Sequence, residues 1–216
     1  MLAALLLQHL RQSGVHAIAI KPFCSGSRAD ARLFRSLQGD EFSIDEINPF
    51  FFPDPLAPLL AARKLRRKLE LPEVLERIHG IERKCECVIV EGIGGIMVPL
   101  GEDFMVREII RDLAADVCLV GRNRLGTINH TLLSAMALKK VEAKHLSVVL
   151  MDVSNAEASS ESNEVFLQEV LKPSRVLRIP FLGYRASRLQ CIKENHKKMK
   201  KVLARILRSV NFTSFF

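Results

Sequence analysis

The chain has 216 residues, a formal net charge of +8 and a pI near 9.5. At 48% hydrophobic and 26% charged it has the make-up of one soluble folded domain with a sizeable core, which excludes a disordered chain. With no Trp and one Tyr it offers little surface for stacking on bases, so no nucleic-acid partner is expected. The excess charge gathers at residues 63–68 and 193–201, runs with interleaved apolar residues that read as solvated helix faces or as an attraction for anionic ligands or surfaces.

Residues 2–13 carry a helical pattern that Gly14 can end. The opening ten residues are apolar but short, without a basic leader or a small-residue cleavage site. They predict neither a signal peptide nor a membrane span. Residues 15–20 read as a buried strand closed by Lys21-Pro22, since the residue before a proline avoids the helical region. Residues 22–29 then read as a loop, 30–38 as a short helix, and 50–58 as an extended, proline-rich connection after Asn48-Pro49. Helices are expected over 59–69 and from Pro72 toward His79. Cys87–Val90 follows as a strand ending in Glu91-Gly92-Ile93-Gly94-Gly95. A helix over 103–114, a strand over 117–120 and a helix over Thr127–Lys140 come next. A strand over 145–151, a helix near 161–171, a short strand over 176–179 and a basic amphipathic helix over 190–210 complete the chain. Apolar strands alternating with helices predict an α/β domain, a mostly parallel sheet with helices on both faces. The five cysteines (Cys24, Cys85, Cys87, Cys118, Cys191) form no disulfide framework or zinc pattern and read as reduced thiols of a cytoplasmic protein.

Three strand ends hold the groups able to do chemistry. Lys21 lies beside the Ser25-Gly26-Ser27 loop, with Asp30 just beyond. A lysine there can hold a phosphate or a carboxylate-like intermediate, or can be an ordinary solvated charge. Glu91 directly follows a buried strand, where a carboxylate can bind Mg²⁺. Gly94 and Gly95 let the backbone approach a ligand, or simply form a tight turn. Thr127, at the end of the segment 121–129, is a candidate N-cap that turns free amides and a positive helix end outward. His130 reads as a structural histidine of the first turn. No G-x-x-x-x-G-K-S/T occurs in the 216 residues.

In their order and spacing, several segments resemble the dethiobiotin synthetases, a P-loop family. They are Ala3-Ala-Leu-Leu-Leu-Gln8, Lys21-Pro22 with Ser25-Gly26-Ser27, Asn48-Pro49 with Pro55-Leu-Ala-Pro58, Val90-Glu-Gly-Ile-Gly-Gly95 with Val98-Pro-Leu100, Leu125-Gly-Thr-Ile-Asn-His130, and Ile179-Pro-Phe-Leu182. The resemblance spans the first helix to about residue 184. It implies a P-loop NTPase-like sheet with its first strand missing, and ATP-dependent carboxylation and ring closure of 7,8-diaminononanoate with CO₂ and Mg²⁺. By resemblance, Lys21 neutralises the carbamate and the transferred phosphoryl group, and Ser25, Gly94 and Gly95 line the substrate site. Asp30 and Glu91 hold Mg²⁺ and the nucleotide phosphates, and Met151 and Pro180 flank the base. Leu125, Gly126, Thr127 and Asn129 receive the substrate carboxylate from a partner subunit, which implies a homodimer. Two departures stand out. The family's G-T-D-T-x-x-G-K-T loop would precede Met1, so the 216 residues alone are expected to turn over little or nothing. Met151 stands where the family has an adenine-reading asparagine, and a thioether cannot both donate and accept. The alternatives are an inactive remnant, or a regulatory P-loop ATPase relative.

Overall fold

The structure is a computed structural model that describes residues 1–143, 145–155, 159–208 and 214–215. α1 (Leu2–Gln12) is apolar nearly all round, burying Leu2, Leu5, Leu6, Leu7 and Leu10. It is covered on both sides, by β1 (Ala17–Ile20) and by the C-terminal helix α9 (Leu189–Leu207). Each fully buried leucine contributes about 2 kcal/mol. Gly14, at φ +86°, turns the chain from α1 into β1.

β1 pairs in parallel with β4 (Cys87–Val90), from Ala17 opposite Cys87 to Ile20 opposite Val90. Both strands are buried throughout, as continuous apolar runs in a covered parallel sheet should be. The segments read from sequence as a loop and an extended connection instead form two short strands. β2 (Phe23–Ser25) and β3 (Phe50–Phe52) pair in parallel, with the rings of Phe23 and Phe50 stacked at 4.8 Å. The pairing depends on Asn48, which is fully buried. Its side-chain amide donates to the carbonyls of Lys21 (2.8 Å) and Pro22 (3.0 Å), and the Phe50 amide donates to Pro22 as well.

The helices that follow are α2 (Ala29–Leu37), α3 (Ile44–Ile47), α4 (Pro58–Lys64), α5 (Leu71–Glu82) and α6 (Val106–Asp112). α3 is started by a Ser43–Glu46 capping box. α4 and α6 are shorter than expected, because Arg66 and Ala114 adopt left-handed backbone conformations just past their ends (φ +53° and +48°). β5 (Val117–Asn123), α7 (Thr127–Lys140), β6 (Leu146–Asp152), α8 (Ser159–Val170) and β7 (Arg175–Ile179) build the second half, followed by α9 and the two-residue β8 (Ser214–Phe215). The lysines of α9 lie on its exposed face, and Arg63, Lys64, Arg67 and Lys68 pair with Glu102, Asp54, Glu73 and Glu70. The first basic run is therefore ion-paired surface and the second a solvated helix face. Residues 209 and 210, the end of the predicted last helix, lie outside the described residues.

Every strand pair is parallel, so the α/β architecture holds. The strands are distributed over three sheets, β1-β4-β8, β2-β3 and β5-β6-β7. Among the described residues β4 and β5 do not pair; they line a shared cavity of about 520 Å³.

Candidate active site

Lys21 ends β1 and is largely buried. Its Nζ donates to Glu91 Oε1 at 2.7 Å and to the Gly92 carbonyl at 3.0 Å, and lies 3.6 Å from Asp30 Oδ2. Burial by itself would lower the lysine pKa, but the Glu91 carboxylate and then Asp30 outweigh it and hold the pKa raised. The side chain is therefore a fixed ammonium at neutral pH. Glu91 is placed where β4 stops, its amide donating to the Ile20 carbonyl at 2.8 Å. Asp30 sits in the first turn of α2, half exposed. Cys24, next to this cluster, is an inert thiol, pushed up to about 11 by burial.

Ser25 ends β2. Its Oγ is buried and has no hydrogen-bond partner in the structure, which marks it as a group awaiting one. Gly26 (φ +75°) approaches Pro55 so closely that a Cβ would lie 3.1 Å from the proline Cβ, which explains why the Ser-Gly-Ser loop and the proline-rich segment occur together. Gly94 (φ +64°) has no room for a side chain, since Val98 would stand 2.7 Å from it, whereas Gly95 faces open space. Lys21, Glu91, Gly94, Gly95 and Met151 all line the 520 Å³ cavity between β4 and β5. Pro180 follows Ile179, which pairs with Met151, so the two predicted base-flanking residues end neighbouring strands.

The helix-start segment lines a different cavity, of about 260 Å³, with Gly121, Arg122, Arg124, Thr127, His130, Thr131 and Ser134 in its wall. Leu119, Val120 and Ser134 border both cavities. Thr127 is not the N-cap. Gly126, at φ +88°, takes that position without a side-chain cap, and Thr127 is the first helical residue, buried. The left-handed turn that only glycine adopts easily leaves the threonine no cap geometry. The Thr127 amide donates to the Arg124 carbonyl, and those of Ile128 and Asn129 have no intrahelical acceptor. Leu125, Gly126 and Asn129 are exposed at the rim.

Sequence reasoning misses a polar lock across the ends of β5, β6 and β7. Asn123, fully buried, donates to Asp152 Oδ1 (2.8 Å) and to the Ser160 carbonyl (2.9 Å) and accepts from Asn163 (2.9 Å). Arg178 grips both oxygens of Asp152 at 2.7 and 2.9 Å. The one signal is that Asp152 directly follows an apolar strand run, as Glu91 does, while Asn123 comes after Gly121-Arg122.

Mg²⁺ typically takes one or two protein carboxylates and completes its shell with water and phosphate. Glu91 and Asp30 fit that demand, since both reach one point, the Lys21 ammonium, from separate elements. Among the described residues no group of three or more Asp, Glu, His or Cys side chains forms a metal cage.

A family model described as an AAA domain (AAA_26) matches residues 1–186. The chain is 37% identical over 205 residues to the ATP-dependent dethiobiotin synthetase BioD of Bacillus subtilis subsp. natto, covering 93% of this chain and 85% of that protein. It is 35% identical over 151 residues to the BioD of Akkermansia muciniphila (70% and 71% covered) and 30% identical over 164 residues to that of Methanococcus vannielii (76% and 78%). With the family model matching most of the chain and two-thirds or more of each relative covered, the chain belongs to the dethiobiotin synthetase family of P-loop NTPases.

Proposed function

We propose that this domain carries the substrate and metal half of an ATP-dependent dethiobiotin synthetase. The observation that supports it is Lys21, a buried ammonium fixed between Glu91 and Asp30 on the wall of an open cavity. In the reaction one amine of 7,8-diaminononanoate adds to CO₂ and releases a proton, giving a carbamate. A carbamate oxygen takes the γ-phosphoryl group of ATP and ADP departs. The second amine then attacks the carbamoyl carbon, phosphate leaves with the C–O electron pair, a proton is lost, and the ring closes. Each step builds anionic charge on oxygens, and a preorganised cation there stabilises it without reorganisation. Lys21 fills that role. Ser25, with its unpartnered hydroxyl, orients the diamine end, and Gly95 leaves room for the chain of the substrate. Mg²⁺, held by Glu91 and Asp30, would neutralise phosphate charge.

The amides of Ile128 and Asn129 receive the far carboxylate. They start α7 beside Thr127 and His130 of the second cavity's wall, not beside the Lys21 cavity, so the reading includes a homodimer in which α7 serves the neighbouring site. Leu125, Leu133 and Met136 are exposed on this segment, an apolar surface such an interface would cover. Met151 borders the cavity where a base would lie, so discrimination between ATP and other nucleoside triphosphates is expected to be weak. A cytoplasmic location goes with this reading; among the described residues no helix is long and apolar enough to cross a membrane.

The test is a fusion that places a strand and a G-T-D-T-x-x-G-K-T loop ahead of Met1. It should form dethiobiotin from diaminononanoate, CO₂ and ATP, and lose this with Lys21→Ala, while residues 1–216 alone remain at background. Absence of turnover in the fusion, or turnover independent of Lys21, would overturn the reading.

A further inference from the structure

We infer that the cavity at the N-terminal ends of β6 and β7 is a binding site for a single-chain aliphatic carboxylate, held by an apolar floor and a rim of unpaired cations.

The cavity measures about 760 Å³ and lies between the ends of α7 and α8 and the starts of β6 and β7, a size common among small-molecule sites. It is separate from the Lys21 cavity. Met151 borders that one near the far end of β6, five residues along the strand from Leu146, which borders this one, a distance of about 17 Å. Leu132 of α7 and Leu171, just after α8, form the floor. Both pack against the second, smaller core, in which Val148, Leu150, Leu167 and Val176 are buried. Val170, 49% exposed, extends this apolar surface outward. The wall beside it is pinned. Gln168 donates to the Ser174 carbonyl and accepts from the Val176 amide, both at 2.9 Å, so a side chain holds the turn from α8 into β7 in place.

The rim fixes the charge of the ligand. Lys139, Lys172 and Arg175 border the cavity, and no acidic residue does. None of the three makes an ion pair among the described residues. Arg63, Lys64, Arg67 and Lys68, by contrast, each face a carboxylate. Lys139 can offset the negative end of α7, but Arg175 is the first residue of β7 and has no such role. An alkyl chain laid on Leu132, Val170 and Leu171 removes apolar surface from water, and its carboxylate then meets cations that lack a counter-charge. A neutral chain forgoes that attraction, a cationic chain is repelled, and a compact anion without a chain leaves the floor bare. Met136 borders the cavity too, but none of these contacts uses it, so a dimer built on α7 is not required.

The experiment uses the full 216-residue chain with sodium decanoate as the probe, read by calorimetry and by methyl shifts in NMR. Neither readout depends on turnover, so its failure is separable from failure of the proposed activity. Decanoate should shift the methyls of Leu132, Val170 and Leu171. Lengthening the probe from octanoate to dodecanoate should tighten binding, by up to about fourfold for each methylene fully buried. Decanol and decyltrimethylammonium should each bind about tenfold more weakly than decanoate. Arg175→Glu, at an exposed position, should weaken decanoate about tenfold and keep the parent Tm. Val170→Asp, which places a carboxylate on the floor, should weaken it by a similar factor. Any of four results would overturn the proposal: decanol binding as tightly as decanoate, affinity indifferent to chain length, shifts confined to the Lys21 cavity, or parent affinity in both variants. An acidic amphipathic peptide that bound here where decanoate did not would overturn it too, in favour of a protein partner.

Discussion

The two halves of the fold treat their strand ends differently. In the β1–β4 half, the charged group at the end of β1 and the backbone beneath it are tied to neighbours. Lys21 is held by Glu91 and Gly92, and Asn48 fixes the backbone on which Lys21 stands. In the β5–α7 half the strand ends are locked by Asn123, Asp152 and Arg178, yet α7 starts without a side-chain cap and the apolar side chains Leu125, Leu133 and Met136 are exposed. The same signal, an apolar run followed by a glycine-rich turn, thus leads to a tied charged cluster in one half and an exposed apolar surface in the other.

That contrast predicts a graded set of responses. The largest belongs to Asn48→Ala, which leaves the carbonyl of Lys21 without a donor in the core and the carbonyl of Pro22 with the Phe50 amide alone. It should cost about 3 kcal/mol in urea unfolding, and an effect below 1 kcal/mol would break the claim that the first half is held by polar satisfaction. Next comes Glu91→Gln, expected to cost about 1–2 kcal/mol because the pair is only partly shielded from water. The raised Lys21 contributes stability that is fully present below the unfolded lysine value of about 10.4 and is lost as pH rises through the higher folded value. Removing the Glu91 charge should move that alkaline loss to lower pH, followed by Tm between pH 8 and 11.

A smaller effect sharpens the comparison from the other end of the scale. His9 and His196 meet between α1 and α9, ring nitrogens 3.1 Å apart. Burial first holds both below the ordinary histidine range, with the Lys200 ammonium acting on both and His9 on His196. Their contribution is present above about 6.5 and is lost as pH falls through the lower folded values. Tm should decline from pH 7 to 5, and less so in His196→Phe. The smallest stability change is expected for Leu133→Asp on α7, within about 0.5 kcal/mol. There the expected readout is self-association, which should fall in sedimentation.

Legibility in the sequence follows the same divide. β1, β4, β5, β6 and β7 are readable because a covered parallel strand must be a continuous apolar run, and Lys21, Glu91 and Gly94 are readable because they follow such runs directly. β2 and β3 are not. Three residues between Pro22 and Gly26, and three after Asn48-Pro49, look like loop, and only the long-range hydrogen bonds of Asn48 make them strands. The Asn123–Asp152–Arg178 lock joins three strand ends far apart in sequence, a coincidence no local pattern carries. Thr127 misleads for a simpler reason, since Ser and Thr are the usual caps and a left-handed Gly126 is visible only in the backbone. The division of the strands into three sheets is invisible to periodicity, which reports that a strand exists but not how many neighbours it has.

The central claim is that Lys21 is the cation that meets the carbamate. Calorimetric titration of diaminononanoate into the full chain, with and without dissolved CO₂, tests it without requiring turnover. The account predicts binding that tightens when CO₂ is present, and loss of that dependence in Lys21→Met. Binding indifferent to CO₂, or a Lys21→Met variant that keeps the dependence, would contradict it.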